Sequence, residues 1–229
     1  MSTMQRTAII TGGTGGLGAA VTKAFLEGGW RVVLPWIVER ELERVEEREG
    51  LELVRADLTD PLSVREVAQV AGESVRAVVN LVGGFAMGGR VHETPVDEFE
   101  AQLRLNLRPT YLVTAAALPA MLAAGDGAVV CVSSRAALRP FPGAAGYVTA
   151  KAAVLAFVDA LDAEYRHDGI RTNAILPSVI DTPTNRESMP DSDFGTWVKP
   201  AEIARVIAWL CSEDASPTSG AHVPVYGRA

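Results

Sequence analysis

The chain has 229 residues, 48% of them hydrophobic, which is enough for one large domain with a continuous core. Its 21 basic and 28 acidic residues leave a net charge of −7 with no basic cluster to offset it. That balance argues against nucleic acid and anionic membranes as partners.

Taken from the amino terminus, Met1 to Arg6 run straight into a strand, with neither the charged-then-apolar pattern nor the cleavage site of a secretory signal. No apolar run reaches transmembrane length, so a cytoplasmic protein is expected. Residues 6–10 form a short apolar strand that ends in a glycine-rich turn, and residues 17–27 form a helix. A second strand is predicted over 31–34, a charged helix over 39–48, a third strand over 51–55, a helix over 61–71 and a fourth strand over 75–81. There follow a long helical stretch over 96–124, a strand over 128–132 and a helix over 146–167. Pro109 sits inside this long stretch, so either the helix kinks beside Asn106, freeing backbone groups that can hold a water, or two helices meet there. The strands are unbroken apolar runs, the pattern of a parallel sheet covered on both faces. The expectation is a single doubly wound α/β domain over 1–229, with about seven parallel strands, helices on both faces and a ligand crevice at the carboxyl ends. Cys131 and Cys211 are isolated and lack redox or metal-ligand spacing, so both read as buried thiols in a reducing compartment. His92, His167 and His222 also lack partners at metal spacing, and no metal is expected.

Two motifs carry chemistry. Thr11-Gly12-Gly13-Thr14-Gly15-Gly16-Leu17-Gly18 follows a strand and opens a helix. Gly12 permits the tight turn, Gly16 lets backbone amides approach a pyrophosphate, and Gly18 allows the helix to pack closely on the sheet. The helix amino terminus adds partial positive charge. Some 130 residues later, Tyr147 and Lys151 place a phenol and an ammonium one helical turn apart. Together the motifs point to a nicotinamide-dependent oxidoreductase.

With these motifs, Asp57 in Ala-Asp-Leu, Asn80 at the end of the fourth strand, Asn106, and Ser134 thirteen residues before Tyr147, the chain resembles the short-chain dehydrogenase/reductase family over nearly its whole length. The resemblance implies that Tyr147 is the proton donor in reduction and that Ser134 orients and polarises the substrate oxygen. Lys151 would lower the phenol pKa from its usual value near 10 and hold the nicotinamide ribose. Asn106 would hold a water linking Lys151 to solvent, Thr182 the nicotinamide carboxamide, and Asp57 the adenine edge. Thr14, Gly15, Leu17, Trp36, Leu58, Asn80, Gly83, Pro177 and Ile180 complete the implied cofactor contacts, together with Gly12, Gly16 and Gly18. Family members pair through two helices that match the alanine-rich stretches 114–124 and 150–163, which implies a homodimer or homotetramer.

The chain departs from the family pattern at two places. Asn80-Leu-Val-Gly83 replaces Asn-Asn-Ala-Gly, and the second strand ends in Trp36-Ile37 where the family carries an acid for NAD or an arginine for NADP. The glycine turn has no basic residue and Glu39 is nearby, which tilts the expectation from NADP(H) toward NADH. The stretch from Leu176 to Pro190, with Phe85, Phe194, Trp197 and Ser219-Gly220, is similar to dihydropteridine reductase and implies a flat quinonoid substrate under a loop over 183–200. Phe194, Trp197 and Met189 equally fit a reading in which they only pin that loop to the body. Ser134 pulls the other way, because a ketone needs an oxygen-orienting hydroxyl and a quinonoid ring does not. The expected function is therefore reduction of a small-molecule ketone. Pterin-like reduction is the alternative, and a non-catalytic dinucleotide sensor is the reading from a different class.

Overall fold

The computed structural model describes residues 5–228, so the reading of Met1 to Met4 as signal-free lies outside it. The strands are Thr7–Thr11 (β1), Arg31–Trp36 (β2), Leu51–Arg55 (β3), Val75–Asn80 (β4), Gly127–Val132 (β5), Ile170–Pro177 (β6) and His222–Val225 (β7). They form one sheet in the order β3-β2-β1-β4-β5-β6-β7, with parallel pairing throughout. The chain winds outward from β1 through β2 to β3, returns to β4, and then winds the other way. The point between β1 and β4 is thus a topological switch, with a crevice outside its carboxyl ends.

The helices are Gly18–Glu27 (α1), Pro61–Ala71 (α2), Val96–Asn106 (α3), Arg108–Ala124 (α4), Ala145–Tyr165 (α5), Pro183–Ser188 (α6) and Pro200–Leu210 (α7). Successive strand residues feed opposite cores. Ala8 and Ile10 pack with Val21 and Phe25 of α1 and with Ile203 and Ile207 of α7. Ile9 packs with Val67 of α2, Val113 and Met121 of α4, and Val158 of α5. Both faces are buried, which is why the strands read as continuous apolar runs.

Several expectations are corrected. The charged helix over 39–48 is only a 3-10 turn, Glu39–Arg44, with no buried residue. Glu39, Glu43 and Glu47 repel at i,i+4 spacing, and without an apolar face nothing offsets the cost of propagating a helix. β2 runs on to Trp36 through Pro35. Val32 and Trp36 turn their backbone groups to β3 and Arg31 turns its own to β1, so Pro35 faces the β1 side, where pairing has stopped at Val33 and the missing N–H leaves no ladder bond unmade. The long stretch over 96–124 is two helices meeting at Leu107, with Pro109 in the first turn of α4, where its N–H is not needed. Taken together, Val96–Ala124 is long and apolar enough by length and composition to cross a membrane, contrary to the sequence reading. In the fold α4 buries Val113, Thr114, Ala117, Leu118 and Met121 within the domain.

Candidate active site

β1 delivers the chain into the glycine turn. Gly12 has φ +65°, and a Cβ on Gly18 would lie 2.0 Å from the Gly12 carbonyl oxygen, so the turn closes only around glycine. Among the described residues no side chain caps the amino terminus of α1; the Ala19 N–H bonds the Gly15 carbonyl at 3.0 Å, and the first turn has no side-chain acceptor. A dinucleotide pyrophosphate fits this end. Gly15 closes the turn through its N–H to the Gly12 carbonyl, at 3.0 Å. Leu17 stands at the N-cap of α1. Gly16 faces Thr182, whose Cγ2 would be 3.0 Å from a Cβ placed there. The glycine turn and the segment after β6 therefore meet across the crevice.

Thr14 is buried, and its hydroxyl donates to Glu41 Oε2 at 2.7 Å. The sequence reading missed this contact, having taken residues 39–48 only as a charged helix. Thr11 was quoted only as part of the motif, but its hydroxyl accepts the Leu81 and Val82 N–H groups at 3.1 and 3.3 Å. It thereby sets the exit of β4 beside the turn.

The other cofactor candidates fall around the same edge. Trp36 is half-buried at the end of β2, and its carbonyl accepts the Ala56 N–H at 2.9 Å. Asp57 accepts the Thr59 N–H at 2.8 Å and the Thr59 hydroxyl at 2.7 Å, holding the turn after β3, while Leu58 is buried in the core. Pro177 ends β6. Ile180 bridges to Val198, and Thr182 caps α6 by accepting the Asn185 N–H at 3.3 Å. Asn80 departs from this pattern. Its side-chain amide donates to Thr114 Oγ1 at 3.0 Å and to Cys131 Sγ at 3.6 Å, tying β4 to α4 and β5.

The candidate catalytic residues come from the end of β5 and from α3 and α5, beside the loop that leaves β4. Lys151 is 5% exposed, its ammonium donates to the Val132 carbonyl at 3.0 Å, and it lies 5.9 Å from the Tyr147 ring centroid. A Cβ on Gly83 would lie 2.6 Å from Asn106 Oδ1 and 2.9 Å from Lys151 Nζ, so glycine here lets the β4 loop run against both. Asn106 is fully engaged through its side chain. Its Oδ1 accepts the Gly84 N–H at 3.1 Å, and its Nδ2 donates to the Gly84 and Gln102 carbonyls, each at 3.0 Å. Ser134 Oγ accepts the Ala136 N–H at 3.1 Å, which leaves its own proton to give.

The electrostatics differ from the expectation that Lys151 depresses the Tyr147 pKa. Burial pushes the phenol above its ordinary value, and the neighbouring Ser134 hydroxyl pulls it back only in part. Burial also lowers Lys151 to about 8. Burial pushes both Cys131 and Cys211 up to about 12, so they are inert thiols.

In the segment after β6, Arg186 forms a bidentate pair with Asp181, at 2.5 and 2.8 Å, and its guanidinium lies 4.7 Å from the Phe194 ring centroid. Phe194 in turn packs on the buried Trp197 at 4.8 Å. Trp197 is thus the buried member of the three residues that one sequence reading assigned to pinning the segment, with Phe194 stacked on it and Met189 exposed.

Comparison with known proteins places this arrangement. The family model for short chain dehydrogenases matches residues 6–193, and the chain belongs to the short-chain dehydrogenase/reductase family. It is 32% identical to 2-(R)-hydroxypropyl-CoM dehydrogenase of Xanthobacter autotrophicus, over 98% of each chain. Among solved structures, ElxO with NADP bound superposes with a TM-score of 0.90 at 25% identity, over 98% of each chain. The 3-ketoacyl-(acyl-carrier-protein) reductase from Brucella melitensis, complexed with NADH, gives 0.86 at 28% identity, covering 97% of this chain and 98% of that one. The chain is accordingly an oxidoreductase with a nicotinamide-dinucleotide-binding fold.

Proposed function

We propose that the protein reduces the carbonyl group of a small ketone, prefers NADH to NADPH, and uses Tyr147 as the proton donor. The observation that carries this reading is the meeting of Ser134, Tyr147 and Lys151 in one crevice beside an uncapped helix amino terminus. A nicotinamide cofactor held by the glycine turn Gly12–Gly18 and the segment around Thr182 would supply the hydride for the carbonyl carbon. The rest falls to the chain. The Ser134 hydroxyl, anchored as an acceptor, turns its proton toward the substrate oxygen. Tyr147, held as a phenol by burial, gives its proton to that oxygen as negative charge develops on it. Lys151 stabilises the resulting phenolate and passes a proton back from solvent by way of the Asn106 corner. Relatives with dehydrogenase and reductase names support the reaction class.

The NADH preference is supported by Glu41. In this fold the adenosine ribose lies beside the glycine turn at the end of the second strand. A carboxylate 2.7 Å from Thr14 would accept ribose hydroxyls there and repel a 2′-phosphate, although Arg44 offsets part of its charge at 3.5 Å. Reduction of a quinonoid pterin or related imine is the second reading, and it loses support where Trp197 is buried under Phe194 instead of lining a pocket. Our reading also includes assembly as a homodimer or homotetramer through α4 and α5, and a cytoplasmic location.

The test is oxidation of NADH and of NADPH with a panel of ketones and with quinonoid dihydropterin. Ketone turnover favouring NADH is expected, with Glu41→Gln narrowing the preference by about five- to tenfold. Turnover of the pterin alone would overturn the ketone assignment, and an unchanged nucleotide ratio in Glu41→Gln would overturn the role of that residue.

A further inference from the structure

The loops leaving β4 and β5 meet beside Tyr147. The Gly88 N–H donates to the Gly143 carbonyl at 2.8 Å. Gly143 has φ +81°, and a Cβ on it would lie 2.6 Å from the Gly88 oxygen, so only glycine allows this approach. At the other end, both backbone groups of Gly84 are held by Asn106. The backbone is therefore tied at both ends of the β4 loop's first turn.

The side chains it carries are apolar and bare. Phe85 is 57% exposed, Met87 59%, Leu138 56% and Phe141 42%. The Phe85 ring stands at 89° to the Tyr147 ring, with centroids 5.0 Å apart, and the Phe141 ring centroid lies 6.2 Å from that of Phe85. Phe141, Phe85 and Tyr147 are thus linked ring to ring through Phe85. A substituent on a carbonyl carbon comes within stacking reach of Phe85 when its oxygen is at Tyr147. Apolar side chains held in water on a fixed backbone gain free energy when an apolar group covers them.

The charges nearby are partly engaged. Arg186 is paired with Asp181, and Arg135 lies over the Tyr226 ring at 5.2 Å. Arg90 and Arg139, in the same two loops, are the groups that an acidic substrate would use instead.

We propose that the substrate is a neutral ketone with an aromatic or bulky alicyclic ring on the carbonyl carbon, and that the ring rests on Phe85 and Phe141. This rests on the ketone-reductase reading above. The test compares kcat/KM for acetophenone, butanone and 4-acetylbenzoate in the wild type, Phe85→Ala and Phe141→Ala. Acetophenone should exceed butanone by about tenfold or more, and each variant should cut that ratio about tenfold, chiefly through KM. Phe141→Ala lies on the second loop and gives the same readout should Phe85→Ala fail to fold. Butanone turned over as well as acetophenone would overturn the proposal, as would a preference for 4-acetylbenzoate or an unchanged ratio in both variants. Retained cofactor binding with no turnover of any of the three ketones would instead overturn the ketone-reductase reading, and this inference would fall with it.

Discussion

Lys151 is the residue whose protonation state the surrounding structure changes most usefully. Burial brings its pKa down to about 8, while burial raises that of Tyr147. Below about 8 the side chain is an ammonium able to stabilise a tyrosinate, and above it becomes a neutral amine. Reduction should therefore be flat through neutral pH and decline as pH rises through that value, read from the pH profile of kcat/KM. Lys151→Arg, a permanent cation, should lose that limb along with much of the rate. A profile that climbs through this window would contradict the assignment. The same shift has a stability sign. Between about 8 and its unfolded value the unfolded chain binds the extra proton, so this group's contribution to stability grows as pH rises across that interval. Ser134, Tyr147 and Lys151 were legible in the sequence because their separations are fixed by one strand end and one helix. Glu41 was not, because it reaches Thr14 only when a 3-10 turn folds back over the glycine loop, and nothing in a run of charged residues marks which one turns inward. The useful signal was an absence, since β2 ends in Trp36, followed by Ile37, with no acid there.

Elements followed from apolar periodicity wherever a buried face dictated them. α2 begins at Pro61, capped by Asp60, whose carboxylate accepts the Leu62 and Ser63 N–H groups, and it ends at Ala71, as its pattern predicts. The stretch after β2 misled because charge spacing mimics a helix without supplying a face to bury. The break at Leu107 was one of two readings that local pattern left open, and packing against different partners chose it. α3 lies against α5, and α4 lies against the sheet and α2. α7 provides the energetic check on this view. Ile207 is fully buried between the sheet and α1, whereas Leu62 of α2 is 65% exposed. Ile207→Ala should cost about 2–5 kcal/mol of unfolding free energy, and Leu62→Ala should stay within about 0.5 kcal/mol. Urea denaturation of both variants measures this, and equal losses would contradict the burial of α7 against the sheet and α1.

For the whole molecule, the strand order explains why residues so far apart in the chain share a site. The reversal between β1 and β4 opens the crevice, the glycine turn enters it from one side, and the loops of β4, β5 and β6 enter from the other. Fold class was readable because alternating apolar runs and helices admit few topologies. The substrate side was not, because Phe85, Phe141 and the segment after Pro177 are placed by loop-to-loop contacts that no periodicity encodes. The proposed reaction depends on proton transfer from one phenol. The most direct measurement is Tyr147→Phe, with NADH affinity read by fluorescence titration and turnover followed on the best ketone of the panel. Unchanged nucleotide affinity with turnover reduced about 10²- to 10⁴-fold is the predicted result; turnover at the wild-type rate would contradict it.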